Sequence, residues 1–237
     1  MFDFTDQVAI VTGAAGNLGE AVVRAFHAAG ARLVLVNRNL ERLEELFANL
    51  ADSEKCLFAA VDLTDAGAVE GMVFEAVQHF GRVDVLANVA GGFKGGSPVH
   101  ETPLETWDFM LNLNARTTFL ASRAVIPHML QQGRGKIVSV AARAGLQGRA
   151  NVAAYVVSKS AVIRLTESMA AELKDKGINV NCVLPGTIDT PQNQRDMPNA
   201  DFSKWVSPEE IASVILFLAS DAARAVQGAA VPVYGRS

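Results

Sequence analysis

Cysteine is scarce in this chain, two among 237 residues, and that scarcity excludes a scaffold held together by disulfides. Cys56 in KCLFAAV and Cys182 in INVNCVL both sit in strand-like apolar runs, so both are expected to be buried, inert thiols. Histidine is thinly spread as well. His27, His79, His100 and His128 show no ligand spacing, and no metal centre is expected. An excess of basic charge is missing: the net charge is −4, which argues against nucleic acid, whose binders need a basic face. No apolar run approaches the roughly 20 residues of a membrane helix, so no membrane partner is expected. The opening MFDFTDQVAIVTG has no basic leader before its first apolar stretch, and the expected location is the cytoplasm.

What remains is rich in apolar residues: 50% of the chain is hydrophobic and 19% charged, the composition of an ordered globular protein. Residues 1–237 suit one domain with a full core and a ligand crevice. Strands are expected at Gln7–Thr12, Ala31–Asn37, Cys56–Val61, Val83–Asn88, Lys136–Ala141, Ile178–Leu184 and Ala229–Tyr234. Most are continuous apolar runs, as in a parallel sheet covered on both faces. Helical patterns fill the intervals near 18–29, 40–51, 66–80, 104–132, 152–176 and 208–219. The alternation implies right-handed βαβ crossovers and a doubly wound, seven-stranded α/β sheet of the Rossmann type. One long irregular piece, Pro191–Pro208, interrupts the pattern and reads as a lid over a small-molecule substrate.

The first strand runs into TGAAGNLG, Thr12–Gly19. Gly13, Gly16 and Gly19 allow a tight turn, close approach to a pyrophosphate and close packing of helix on strand. The helix opened by Asn17 and Leu18 offers N–H groups and the positive end of its dipole to an anion. A glycine trio alone is weak evidence. Its place in the first βα unit makes a dinucleotide site the stronger reading. The second strand ends at Asn37, where a binder of the ribose 2′-OH would carry an acid. Arg38 beside it either meets a 2′-phosphate or is a solvated surface charge. Asp62 in VDLTD ends the third strand, where its carboxylate can accept from an adenine amine, with Leu63 next to it. NVAGG, Asn88–Gly92, is a turn of small residues against which a flat cofactor can lie, with Ala90 and Gly91 at its centre.

Tyr155 and Lys159 are four apart and share a helix face. An ammonium near the phenol is expected to lower the phenol's pKa from about 10 toward working pH and to make it a usable general acid. Such a pair alone is a common accident. With the glycine turn it is not.

Taken together these motifs resemble the short-chain dehydrogenase/reductase family over essentially the whole chain: the glycine turn, VDLTD, NVAGG, Asn114 in LNLNARTTF, Tyr155 with Lys159, and PGTIDTP, Pro185–Pro191, all in order. The resemblance implies an NAD(P)-dependent oxidoreductase in which Lys159 also holds the nicotinamide ribose and Asn114 anchors a water in the proton relay. It implies that Pro185, Gly186 and Ile188 border the nicotinamide, and that helices near 104–132 and 152–176 pair subunits into a homodimer or homotetramer. Two positions depart from the family. Asn17 stands where most members have the second glycine, with Gly16 one place early, and Ala142 in SVAARAG replaces the catalytic serine. Ser139 is three strand residues, about 10 Å, too far to substitute, and Ser158 reads as packing.

Within the family the motif detail is most similar to the dihydropteridine reductase branch: the glycine spacing, VAGGFKGG at Val89–Gly96, AARAGLQG with its alanine, and the lid sequence Asp189–Trp205. That likeness implies that Phe93, Ala142 and Trp205 face the substrate, and that the substrate is similar to a quinonoid dihydropterin. The branch uses NADH with an acid where Asn37 stands. Asn37 and Arg38 instead favour NADP(H), with NAD(H) as the second choice. A carbonyl or 3-oxoacyl reductase, and an NAD(P)-binding protein without turnover, are the alternatives.

Overall fold

The computed structural model describes residues 2–51 and 53–236. Seven parallel strands form one sheet in the order β3-β2-β1-β4-β5-β6-β7. They are β1 Val8–Thr12, β2 Arg32–Asn37, β3 Cys56–Ala60, β4 Val85–Asn88, β5 Gly135–Val140, β6 Ile178–Pro185 and β7 Ala230–Val233. The central strands are buried on both faces, as their unbroken hydrophobic runs require: every residue of β1 and of β4 is buried, whereas the edge strands β3 and β7 are mostly half-buried. One face carries α1 (Asn17–Ala28) and α8 (Pro208–Ala219), with Phe26, Ile211 and Ile215 in the core beneath them. The other carries α3 (Ala66–Phe80), α5 (Thr117–Gln132) and α6 (Ala153–Leu173), over Ile10, Leu86 and Ile137. Chain order reverses between β1 and β4, and such a switch point opens a crevice at the carboxyl ends of the strands.

Local chemistry sets the ends of these elements. Asp65 accepts from Ala68 N at 3.1 Å to start α3, and Gly81, at φ 76°, ends it. Ser207 and Glu210 form a reciprocal capping box with Pro208 at the first turn of α8.

Several expected boundaries shift. The helix expected over 40–51 is α2, Leu40–Leu46, followed by a 3₁₀ turn at Ala48–Leu50. The long helix expected over 104–132 is found over that span, running from α4 (Leu104–Met110) through a wide π turn (Leu111–Arg116) into α5. Thr117 and Thr118 donate to the carbonyls of Leu113 and Asn114, at 2.7 and 2.8 Å, and so hold acceptors of the widened turn. The segment expected to be irregular holds a short helix, α7 (Pro191–Asp196), capped by Thr190, and a 3₁₀ turn at Phe202–Lys204. Its neck is closed by backbone bonds from Asp189 N to Val206 O and from Val206 N to Thr187 O. Cys182 is buried as expected, whereas Cys56 is only half-buried because β3 is the sheet's edge strand.

Candidate functional site

At Gly13 and Gly19 the glycine turn is built by contacts that no other residue permits. Gly13 adopts φ +66°, and a Cβ there would lie 2.7 Å from Ala90 Cα. A Cβ on Gly19 would overlap the Gly13 carbonyl, so this glycine is what lets α1 close onto the turn. Gly16 is the N-cap of α1 and carries no side chain to satisfy the first-turn N–H groups, which leaves them to an anion. Across the switch point, Thr12 Oγ1 accepts from Val89 N and Ala90 N at 3.0 and 3.2 Å, joining the end of β1 to the NVAGG turn.

A cleft of about 1330 Å³ opens over these strand ends, larger than a drug-sized pocket and spacious enough for a dinucleotide together with a small substrate. At one end stand Asn37, Arg38, Asp62 and Leu63. Asn37 Oδ1 accepts from Asn39 N at 3.0 Å, and Asp62 Oδ1 accepts from Thr64 N and Oγ1 at 2.9 and 2.7 Å. Those bonds, the backbone one first, hold the Asp62 carboxyl below its usual pKa, and the Arg38 charge adds to them. The middle is formed by Gly13, Gly16, Asn17, Leu18, Gly19, Ala90 and Gly91, and the far end by Phe93, Ala142, Tyr155, Lys159, Pro185, Gly186 and Ile188.

The Tyr155/Lys159 pair is set in a tight bonding pattern. Lys159 is buried and donates to Val140 O at 2.9 Å. Phe93 lies edge-on to the Tyr155 ring, with centroids 4.9 Å apart. Burial pushes the Tyr155 phenol up to about 12 and the Lys159 ammonium down to about 8. The expected lowering of the phenol by its lysine is therefore corrected: in the protein alone, desolvation dominates. Tyr155 is a neutral O–H donor across the physiological range.

Asn114 is wholly buried on the inner side of the π turn. Its Oδ1 accepts from Gly92 N at 3.0 Å, and its Nδ2 donates to Gly92 O at 3.1 Å and to Ser158 Oγ at 3.0 Å. Ser158 in turn donates to Tyr155 O at 2.7 Å. Ser158 is thus more than packing: it links the turn of Gly92 to the helix that carries Tyr155 and Lys159. A Cβ at Gly91 would sit 2.7 Å from Asn114 Oδ1 and 3.0 Å from Lys159 Nζ. A glycine at this point leaves room for Asn114 beneath the turn and for Lys159 at the cleft wall, and this uncrowded cradle fits a flat cofactor ring.

Three of the expected site residues stand off the cleft wall. Asn114 reaches the site only through the Gly92 backbone. Asn88 lies beneath the floor, donating to Ser122 Oγ and Ser139 Oγ at 3.2 and 3.3 Å, because its β4 position faces into the sheet packing. Trp205 ends the 3₁₀ turn Phe202–Lys204 and packs on Phe202, with centroids 4.7 Å apart, away from the cleft lining. In contrast, Arg143, Arg149, Gln192, Asn193 and Met197 line it. The length of the 191–208 segment hinted at the last three; nothing in the local pattern singled out the two arginines. Ala142 is buried at the end of β5, and no hydroxyl stands in its place. Ser139 is turned to Asn88, as the strand spacing implied.

Among the described residues no helix is long and apolar enough to cross a membrane, and no cluster of His, Cys, Asp or Glu could hold a metal ion. The family model for short chain dehydrogenases matches residues 7–201. The chain is 36% identical to the 2-(R)-hydroxypropyl-CoM dehydrogenase of Xanthobacter autotrophicus, over 97% of each sequence. The crystal structure of gox2181 superposes with a TM-score of 0.92 at 30% identity, covering 98% of this chain and 96% of that one. The structure of ElxO with NADP bound gives 0.89 at 28% identity, covering 97% of each. With glycine turn, switch-point cleft and Tyr155/Lys159 helix in one frame, the chain belongs to the short-chain dehydrogenase family of oxidoreductases.

Proposed function

We propose that the cleft binds NADP(H) in preference to NAD(H) and reduces an electron-poor conjugated ring of the quinonoid dihydropterin class, with Tyr155 donating the proton. The nicotinamide, when bound, supplies the hydride. Gly13, Gly16, Asn17, Leu18 and Gly19 would hold its pyrophosphate, Arg38 the 2′-phosphate, and Asp62 and Leu63 the adenine. Lys159 is held by Val140 O close to the Gly91 turn, where it would bind the nicotinamide ribose. Tyr155 keeps its proton until a substrate atom accepts it, and the Asn114–Ser158 bond keeps its helix in place.

The observation that carries the substrate class is Ala142 beside an otherwise complete Tyr155/Lys159/Asn114 set. Hydride addition to an isolated ketone builds negative charge on one oxygen, and losing one donor to such an oxyanion costs a factor of about 10²–10³. A conjugated ring spreads that charge and needs the second hydroxyl less. The dihydropteridine reductase-like sequence of the lid and of VAGGFKGG supports the same choice. A second reading, oxidoreduction of a simple secondary alcohol or ketone, is favoured by the name of the Xanthobacter relative.

Kinetics with quinonoid dihydropterin and with a panel of ketones decide between them. Tyr155→Phe is expected to bind cofactor nearly normally and to lose most of kcat; full turnover by that variant would refute the proton-donor role. Ala142→Ser is expected to raise kcat on a ketone by up to about 10²-fold and to change pterin turnover little. Brisk ketone reduction by the wild type would favour the second reading.

A further inference from the structure

We propose that Tyr234, Gly235 and Arg236, which follow β7, form a strap that positions the substrate end of the cleft by tying the lid to the wall bearing Arg143. Which end receives substrate rests on the functional reading above; the strap itself rests on five contacts. The Arg143 guanidinium lies over the Tyr234 ring, 4.9 Å from its centroid. Arg143 opens the 3₁₀ turn that follows Ala142, and it lines the cleft. The same Tyr234 packs on the small core of Ala141, Val162, Ile163, Cys182 and Leu184, so its ring is held by the strand end and by the helix of Tyr155.

From that anchor the backbone turns through Gly235, at φ +64°, directly onto the lid. A Cβ at Gly235 would lie 2.9 Å from Lys204 O and 3.1 Å from Trp205 C, an approach that only glycine allows. Arg236 N then donates to Lys204 O at 2.9 Å, and Arg236 Nη2 donates to Ser203 O at 2.7 Å. The half of the lid that lines the cleft, with Gln192, Asn193 and Met197, therefore hangs between two fixed points. One is its closed neck at Asp189 and Val206; the other is the strapped turn Phe202–Lys204. Tyr234 and Arg236 are positioning residues: neither lines the cleft, and both would act through the place they give to Arg143 and the lid. The strap also accounts for Trp205, whose turn is held by it and which stands off the cleft.

The test uses the full chain carrying Tyr234→Leu and Arg236→Ala together. Trypsin cleaves after Lys204, whose carbonyl accepts from the strap, and after Arg195 in the lid helix. Cleavage at these two sites is expected to quicken about ten-fold, and KM for substrate to rise about ten-fold, the scale set by losing one or two net contacts. The dissociation constant for cofactor and kcat are expected to stay within about two-fold. Tyr234→Phe, which keeps the aromatic face, is expected to retain the wild-type KM. Unchanged cleavage and KM in the double variant would overturn the proposal. So would a parallel worsening of KM, cofactor affinity and melting midpoint, which marks general destabilisation. Cleavage does not require turnover, so the strap is tested even if the substrate assignment fails.

Discussion

At the residue scale, the chemistry depends on what has been left off side chains as much as on what they carry. Ala142 withholds a hydroxyl, and Gly91 withholds the carbon that would stand between Asn114 and Lys159. Asn37 withholds the carboxylate that would repel a 2′-phosphate, while its own amide oxygen is occupied by Asn39 N. Arg38 stands at the same end of the cleft, and its charge is felt by Asp62. Arg38→Ala should therefore lower kcat/KM for NADPH relative to NADH by about ten-fold or more, since a charge-assisted bond contributes roughly 1.5–3 kcal/mol. An unchanged ratio between the two cofactors would make Arg38 a solvated bystander. Tyr155 and Lys159 stand out by residue type and spacing, and Ala142 only by the family resemblance, which puts a serine in its place. Ser158 does not stand out, because its role depends on the π turn bringing Asn114 against it from far away in sequence.

At the element scale, close backbone approach does the positioning. The α1 helix packs on the turn of β1 only because Gly19 has no Cβ. Gly19→Ala is expected to cost about 1–3 kcal/mol of stability through overpacking and to weaken cofactor binding at least ten-fold, since it displaces the N–H groups that face the phosphates. Gly71, in α3, is the control, because a Cβ there would meet nothing within 4 Å. Gly71→Ala should raise stability by about 0.5–1 kcal/mol through helix propensity. Thermal unfolding and cofactor titration of the two variants read both effects, and a Gly19→Ala protein as stable and as tight-binding as wild type would contradict the packing argument. The π turn inside the expected 104–132 helix belongs to this scale too. The helix runs on through it, so periodicity gives no sign of the widening, which becomes visible only where Asn114 is seen bonded to Gly92.

At the scale of the whole molecule, burying the pair at the sheet's end links stability to pH. Lys159 has a folded pKa of about 8, below its ordinary 10.5, so between these values the unfolded chain binds more protons and stability rises with pH. Cys182, pushed by burial from 9.0 to about 11, has the opposite sign and removes stability above pH 9. Tyr155, raised from 10.0 to about 12, removes more above pH 10. Stability should consequently rise between about pH 8 and 9, with a slope of at most about 1.4 kcal/mol per pH unit, flatten as the thiol begins to oppose it, and then fall. Denaturant unfolding across this range measures the curve. Lys159→Met should remove the rise while leaving the fall; a rise that persists in that variant would place its origin elsewhere.

The amino-acid sequence by itself determined the fold class and the order of its elements, and it picked out the candidate site, because each follows from information that is local in the chain. Unbroken apolar strands ask for cover on both faces, helical periods supply it, and glycine at three positions after the first strand makes a phosphate turn. Tertiary structure alone decided the rest. Whether Lys159 lowers Tyr155 or burial raises it depends on how much water the packed cleft removes. Whether Trp205 or Met197 faces the cleft depends on how the 191–208 segment is tied down at both ends. That Tyr234 lies under Arg143 depends on β7 ending beside β6, a neighbour relation set by the sheet order. These are contacts between residues distant in the chain, where geometry, and not spacing, chooses the partner.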